Sequence, residues 1–166
     1  MNRNGAFLVL FKDNSKKQVF LVRRSDYPIW VLTGGGIEKG EVPKNAALRE
    51  AYEETGFKVK LVKSLGIYEI FNKKDSKRKT YLFEGRVVSG IFKPEYPGCL
   101  GKWFPVNKLP LSITYPTRIK IQDAVNHNGK KIFQKKHSEI TLKNNILLMF
   151  IHPFSSAKFL YRHFHV

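Results

Sequence analysis

Residues 33–57 have the sequence TGGGIEKGEVPKNAALREAYEETGF, which predicts a helix behind a glycine-rich loop. Pro43 suits the first helical turn, because its fixed φ angle matches a helix and an N–H there would have no intrahelical partner. Gly56 suits the left-handed position that commonly follows the last helical residue. We therefore predict a helix over residues 43–55, preceded by a loop of three consecutive glycines.

The predicted helix carries three carboxylates on one face. An α-helix turns by about 100° per residue, so Glu54 lies roughly 40° to one side of Glu50 and Glu53 roughly 60° to the other. Like charges at these spacings destabilise a helix, and near its C-terminus they also oppose the macrodipole. An arrangement that lowers stability favours a functional explanation, and a bound divalent cation is the simplest. Oxygen ligands without cysteine favour Mg²⁺, Mn²⁺ or Ca²⁺ over zinc.

The charge distribution supports a cation site on this helix. The chain has 166 residues, with 30 Lys and Arg against 13 Asp and Glu, which gives a formal net charge of +17. Five of the 13 acidic residues nevertheless lie within the 17 positions from residue 38 to residue 54. A solvated acidic face is the alternative explanation for such a cluster. The positive charge of the rest of the chain indicates an anionic partner.

The composition excludes several classes of protein. Hydrophobic residues make up 42% of the chain, enough to build a core without covalent cross-links. The single cysteine, Cys99, excludes an intramolecular disulfide framework and a cysteine-based zinc finger. No apolar run reaches the roughly 18 residues of a membrane span, and the N-terminus lacks a signal-peptide cleavage pattern. We therefore expect a cytoplasmic protein.

The remaining pattern predicts an α+β fold. Apolar runs over residues 5–11 and 18–24, with turn residues between them, predict a β-hairpin. Further elements are expected as strands over residues 30–33, 57–62, 65–71, 80–88 and 103–106, a second helix over 117–127, a strand over 145–151 and a short helix over 155–164. We place one domain over residues 1–128 and a basic, aromatic extension of unknown role over residues 129–166.

Nine residues at fixed spacing resemble a known family motif. The motif is the Nudix box, G-x5-E-x7-R-E-U-x-E-E-x-G-U, in which U is a bulky apolar residue. It is matched by Gly35, by Glu41 after five intervening residues, and by residues 49–57 after seven more. Ala51 is small for its position in the motif. Thr33 stands where relatives often have proline.

The resemblance covers the order of elements from about residue 5 to residue 127, and it implies a fold and a reaction. The implied fold is an α/β/α sandwich around a mixed β-sheet. The implied reaction is Mg²⁺-dependent hydrolysis of a diphosphate bond in a nucleoside diphosphate linked to a group X, with Mn²⁺ as a substitute ion. The substrate would be a nucleoside triphosphate, a nucleotide sugar or a similar compound.

The resemblance also implies roles for individual residues. Arg49 would hold the glutamates in place through charge-assisted hydrogen bonds. The implied metal ligands are Glu41, Glu50, Glu53 and Glu54. The implied substrate loop contains Gly34, Gly35 and Gly36.

A general base and a phosphate clamp complete the predicted site. Glu53 is the first candidate for the base, because a glutamate beside a metal can take a proton from bound water. Some relatives use a later loop, which makes Glu95 a candidate here, with a solvated loop acid as the alternative. Glu84, inside a predicted strand, is a weaker candidate. An arginine at the end of the second strand could clamp a phosphate. Alternation allows at most one of Arg23 and Arg24 to reach the site, and we assign Arg23.

Other residues give weaker signals. Strand aromatics more often belong to the core than to a base-stacking site. The aromatics in question are Tyr27, Trp30, Tyr68 and Phe71. All five histidines lie beyond residue 126, and their spacing matches no helix-borne metal pair.

Three functions from different classes fit these observations. Hydrolysis of a small nucleotide is the first. A pyrophosphohydrolase of RNA 5′ ends is the second, favoured by the +17 charge and the basic extension, and its affinity would fall steeply with added salt. A non-catalytic nucleotide-binding module is the third, and the intact glutamate set disfavours it. The identity of X and the oligomeric state, with a homodimer among the options, stay open at this point.

Overall fold

A computed structural model describes residues 4–71, 77–129 and 133–138, which form two β-sheets and two helices. The elements are β1 (Gly5–Leu10), β2 (Gln18–Arg23), β3 (Trp30–Val31), β4 (Thr33–Gly36), α1 (Pro43–Thr55), β5 (Lys58–Phe71), β6 (Lys77–Ser89), β7 (Leu100–Pro105), α2 (Tyr115–Asn126) and β8 (Phe133–Ser138). The larger sheet has the order β4-β1-β6-β5-β8 and the smaller one β3-β2-β7. The larger sheet is mixed, because β1 is parallel to β6 whereas β5 and β6 are antiparallel.

Alternating residues of β1 separate two apolar cores. Leu8 and Leu10 share one core with the buried alanines of α1, which include Ala51. Val9 belongs to the other core, together with Ile121 of α2. Burying a large apolar side chain stabilises a fold by about 1.5–3 kcal/mol, so the strands hold both helices against the sheet. The predicted α+β sandwich is confirmed, and the small Ala51 allows α1 to approach the sheet closely.

The ends of α1 agree with the prediction. Pro43 occupies the first turn, and Gly56 follows the last helical residue with a φ angle of 70°. The Gly56 N–H donates a hydrogen bond to the Tyr52 carbonyl oxygen at 2.7 Å. The second helix begins two residues before its predicted start, because the Thr114 hydroxyl caps it by accepting from the Thr117 N–H.

The predicted hairpin of the first two strands is wrong. β1 and β2 meet at the Phe11–Val19 bridge and then diverge into different sheets. β1 pairs with β4 and β6, whereas β2 pairs with β3 and β7. The turn residues were interpreted correctly, but both strands are buried on both faces, and such strands need neighbours from distant parts of the chain.

Three further strand predictions need correction. The strands expected over residues 57–62 and 65–71 form one strand, β5, whose pairing with β6 contains three register shifts. Bulges of this kind add residues without ending a strand. β4 contains the glycines that we assigned to a loop, and β8 was not predicted. The elements expected over residues 145–151 and 155–164 lie outside the described residues.

Within the described residues, neither helix combines the length and the apolar character that crossing a lipid bilayer requires.

Candidate active site

Arg49 lies at the centre of the acidic face of α1. Its Nε and Nη2 donate to the two carboxylate oxygens of Glu41, at 3.0 and 3.1 Å. Its Nη1 donates to Glu50 Oε1 at 3.0 Å and to Glu53 Oε2 at 2.9 Å. Its Nη2 also donates to the Gly36 carbonyl oxygen at 3.1 Å. The carboxylates, Glu41 first, raise the pKa of Arg49, and its charge offsets the repulsion expected on this helix face.

The glycines of β4 bring backbone close to these carboxylates. A Cβ atom at Gly35 would overlap the carboxylate of Glu50. The Gly34 N–H donates to Glu54 Oε2 at 3.0 Å. Gly34 has a φ angle of 141°, and a Cβ atom there would overlap the backbone of Phe7. Glycine is therefore required at Gly34 by close backbone approach and by backbone conformation, whereas a side chain at Gly35 would displace the Glu50 carboxylate.

Glu54 is the carboxylate most affected by its surroundings. Burial, with smaller contributions from the charges of Glu50 and Glu95, raises the pKa of Glu54 to about 8. The Gly34 N–H and the charge of Arg24 oppose it. Burial also raises the pKa of Glu50, against the opposing influence of its hydrogen bond with Arg49. Carboxylates in such surroundings are stable either with a proton or with a cation.

The loop after β6 brings Glu95 to the same site. The Lys93 N–H donates to the Thr55 carbonyl oxygen at 2.8 Å, which ties this loop to the end of α1. The charge of Glu95 acts on both Glu50 and Glu54 and contributes to the raised pKa of each. Two carboxylates of the helix and one of the loop therefore lie within electrostatic reach of one another.

Arg24, and not the assigned Arg23, acts on the glutamates. Arg24 forms an ion pair with Asp26, with donor–acceptor distances of 2.8 and 2.6 Å. Its pKa is raised by that hydrogen bond and, to a lesser extent, by the charge of Glu54. The preceding strand residue Val22 belongs to the core under α1, so alternation places Arg23 on the other face. Arg23 stays a prediction for substrate binding, and Asp26 is a partner that the sequence analysis missed.

Glu84 lies apart from this cluster, on the face of the sheet that α2 covers. The residue is 1% exposed. Its carboxylate pairs with Lys16 Nζ at 2.9 Å and with Arg86 Nη2 at 2.8 Å. Burial would raise its pKa, but these two cations outweigh burial and hold the pKa of Glu84 below its usual value. The idea of Glu84 as a general base is therefore wrong, because it serves a structural ion cluster.

The Glu84 ion cluster predicts a pH-dependent stability effect. We expect Glu84→Gln to lower the free energy of unfolding by about 3 kcal/mol at neutral pH, because it removes the negative charge that Lys16, Arg86 and the more distant Lys63 face. The pKa of Glu84 is lower in the folded than in the unfolded chain. Its contribution is therefore present above the ordinary value of 4.5 and is lost as the pH falls through the folded value. Urea unfolding of both proteins from pH 7 to pH 3 measures this.

The matched control for this prediction is Glu38→Gln, at an exposed position. We expect it to change stability by less than about 0.5 kcal/mol. Equal stability of Glu84→Gln and Glu38→Gln at pH 7 would contradict the assigned role of the ion cluster.

Other residues that the sequence analysis considered pack in the core or contact neighbouring side chains. Tyr68 is buried in the core under α2 and donates from its hydroxyl to Asp123 Oδ2 at 2.6 Å. Trp30 packs edge-to-face on Phe104, with ring centroids 4.7 Å apart. Cys99 Sγ lies 3.7 Å from the Ser25 hydroxyl oxygen. The Phe71 side chain and those of all histidines except His127 lie outside the description.

The glutamates offer the hard oxygen atoms that a divalent ion prefers, but some of these oxygens already accept hydrogen bonds from Arg49. Within the described residues, no group of three His, Cys, Asp or Glu side chains is arranged to hold one metal ion. Each metal-ligand candidate of the last two turns of α1 nevertheless keeps one oxygen to which no described residue donates a hydrogen bond. These oxygens are Glu50 Oε2, Glu53 Oε1 and Glu54 Oε1. The donor set and the raised pKa values of Glu50 and Glu54 fit a hard divalent ion.

A family model described as NUDIX domain matches residues 1–124. The chain belongs to the Nudix family. A Bacillus subtilis Nudix relative with the provisional name 8-oxo-dGTP diphosphatase is 33% identical over 127 residues, which are 76% of this chain and 82% of the relative. The predicted family membership is thus confirmed, and the chain is a hydrolase of diphosphate-containing substrates.

Two further comparisons describe the range of Nudix proteins that this chain resembles. Mouse diphosphoinositol polyphosphate phosphohydrolase 3-alpha is 43% identical over 105 residues, covering 61% of this chain and 63% of the relative. This chain therefore spans less than two thirds of the mouse protein. A crystal structure of a NUDIX hydrolase from Nitrosomonas europaea superposes with a TM-score of 0.64 at 19% identity, covering 84% of this chain and 81% of that one. The superposition supports the Nudix fold.

Proposed function

We propose that this Nudix protein hydrolyses a diphosphate bond in a nucleoside diphosphate linked to a group X, with Mg²⁺ at the glutamates of α1. The observation that carries the proposal is the juxtaposition of Glu50 and Glu54, two carboxylates in partly desolvated surroundings, with Glu95, whose charge acts on both. The names of the relatives, an 8-oxo-dGTP diphosphatase and a diphosphoinositol polyphosphate phosphohydrolase, both describe substrates with a phosphoanhydride bond.

The residues of the chain would share the work as follows. Bound Mg²⁺ would cancel substrate charge, polarise the phosphoryl oxygen and lower the pKa of a water molecule. Glu50, Glu53 and Glu54 would hold the ion through the oxygens that Arg49 leaves available. Glu41 has both oxygens engaged by Arg49, so it would support the site by orienting that guanidinium. Gly34, Gly35 and Gly36 would let the substrate approach the backbone of β4.

The general base would be a carboxylate beside the ion. Glu53 is 46% exposed and shares one oxygen with Arg49. Glu95 acts on both Glu50 and Glu54 from the facing loop. A base must reach a water that lies among the metal ligands, and we favour Glu95 because its charge acts on both Glu50 and Glu54, whereas the charge of Glu53 acts on Glu50.

A substrate panel tests the proposed function. The panel contains a nucleoside triphosphate, a nucleotide sugar, a diphosphoinositol polyphosphate and a 5′-triphosphorylated oligonucleotide, each assayed with Mg²⁺, with Mn²⁺ and with EDTA. We expect metal-dependent release of phosphate-containing products from at least one nucleotide. Binding of nucleotides without any product in either metal would overturn the proposal in favour of a binding module. Preferential turnover of the oligonucleotide, with a steep salt dependence, would favour the RNA 5′ end.

The surroundings of Glu54 predict how the metal-free protein responds to pH. Its pKa is about 8 in the folded chain, against an ordinary value of 4.5. Unfolding therefore releases a proton between these values, and the stability of the metal-free protein should fall as the pH rises from about 5 to about 8. Thermal unfolding in EDTA across this range measures the decline, which Glu54→Gln should reduce. A decline of equal size in the variant would contradict the assignment to Glu54.

A further inference from the structure

A partly buried lysine lies on the opposite face of the larger sheet from the glutamates, beneath α2. The ammonium of Lys120, a half-buried residue, lies 4.6 Å from the ring centroid of Phe7 and 5.8 Å from that of Tyr68. None of the described residues forms a hydrogen bond or an ion pair with this ammonium. Burial, together with a smaller effect of the positive charge of nearby Arg78, lowers the pKa of Lys120 to about 8.

These surroundings make a lysine an unfavourable choice for stability alone. A charge taken out of water without an opposite charge is destabilising, and the neighbouring cation adds repulsion. Contacts with two aromatic rings offset part of this cost. A methionine would fill the same space without a charge. The retained ammonium therefore favours a role that needs positive charge, such as binding an anion.

The position of Lys120 relative to the glutamates suggests which anion it binds. Phe7 on β1 pairs with Gly34 on β4, and the Gly34 N–H binds Glu54. β4 is an edge strand of the larger sheet in the described structure. One strand at the rim of the sheet therefore separates the ring beneath Lys120 from the carboxylate site. This one-strand separation is the basis for placing the diphosphate of a ligand at the glutamates and directing its group X around the rim toward the ammonium.

We propose that Lys120 binds a phosphate group carried by X, and that it is a specificity-determining residue of this hydrolase. This inference rests on the proposed function and narrows the substrate class to compounds whose group X is itself phosphorylated. Arg78 adds positive charge to the same site. Phe7 and Tyr68 exclude water from the ammonium, which strengthens its attraction for an anion.

Binding measurements in the absence of metal test this proposal without requiring turnover. The probes are ADP-ribose and its 1″-phosphate, a pair that differs by one phosphate on X, titrated by calorimetry in EDTA. We expect the full chain to bind the phosphorylated probe at least about tenfold more tightly, as one charge-assisted hydrogen bond provides. Lys120→Met should abolish this preference, and Lys108→Met, at an exposed position, should keep it. No preference in the wild-type chain, or a preference that survives in Lys120→Met, would overturn the proposal.

Two further measurements separate the other outcomes. Binding of inorganic phosphate is titrated in parallel. If the wild type binds phosphate, Lys120→Met does not, and neither protein distinguishes the ADP-ribose probes, then Lys120 belongs to a site for free phosphate and the substrate subsite is wrong. Thermal unfolding checks the variant, which should be at least as stable as the wild type, and Lys120→Gln serves as the second variant if methionine misfolds. If the wild type prefers the phosphorylated probe but hydrolyses no member of the substrate panel, the subsite stands and the proposed function fails.

Discussion

Replacing Glu54 with glutamine is expected to reduce kcat by about a thousandfold, while the protein keeps its stability. The reason for the loss is that a metal-bound transition state draws several kcal/mol from the ion, and about 4 kcal/mol corresponds to a factor of about a thousand. Glutamine cannot supply the negative charge that holds the ion. It does keep an oxygen that can accept the Gly34 N–H, so the helix and β4 stay joined. Steady-state kinetics on a substrate identified in the panel measures the effect.

The stability of this variant distinguishes a functional carboxylate from a structural one. Glu54 is buried among like charges, so removing its charge should leave the melting temperature of the metal-free protein unchanged or higher at pH 8. Added Mg²⁺ should stabilise the wild type through mass action and should stabilise the variant much less. Glu38→Gln, on the exposed side of the loop before α1, should retain full activity. Near-wild-type kcat of Glu54→Gln would place the metal site elsewhere.

Local signals predicted α1 and its acidic face almost completely. Pro43 and Gly56 determine the ends of the helix through their own backbone preferences, so no other part of the chain is needed to interpret them. The angular positions of Glu50, Glu53 and Glu54 follow from helical geometry alone. Helical geometry does not show which group each carboxylate contacts. The hydrogen bond from Gly34 to Glu54 depends on β4, which packs against α1 only in the assembled fold.

Long-range pairing explains most of the errors. Phe11 and Val19 flank a genuine turn, yet their strands join different sheets because each has better partners elsewhere. Arg23 stays a prediction for substrate binding, and alternation alone could not show that Arg24 lies on the face of β2 toward α1. Lys120 gave no signal at all, because a lysine on a helix usually points into solvent. Its unusual surroundings arise from Phe7 and Tyr68, which belong to two distant strands.

Glu95→Gln is expected to lower kcat by about 10²–10⁴-fold, the range that general-base catalysis supplies. The charge of Glu95 acts on both half-buried glutamates, Glu50 and Glu54, so under the proposed function its carboxylate would accept a proton from a water held among them. Its loop is tied to α1 through Lys93 and Thr55, and glutamine at position 95 leaves that backbone hydrogen bond intact. KM and the affinity for Mg²⁺ should change little, because binding of the diphosphate depends on the helix. Kinetics and calorimetry on the same preparation measure both quantities.

The comparison with Glu53→Gln decides between the two candidates for the base. Glu53 lies on the exposed side of α1 and shares Arg49 with Glu41, so its removal should weaken metal binding more than the chemical step. We therefore expect Glu53→Gln to raise the Mg²⁺ concentration needed for half-maximal activity and to recover part of its kcat at saturating Mg²⁺. Saturating Mg²⁺ should not restore the kcat of Glu95→Gln, because an added metal ion cannot accept the proton that Glu95 would take. If saturating Mg²⁺ rescues Glu95→Gln and not Glu53→Gln, the two roles are exchanged, and Glu53 is the base.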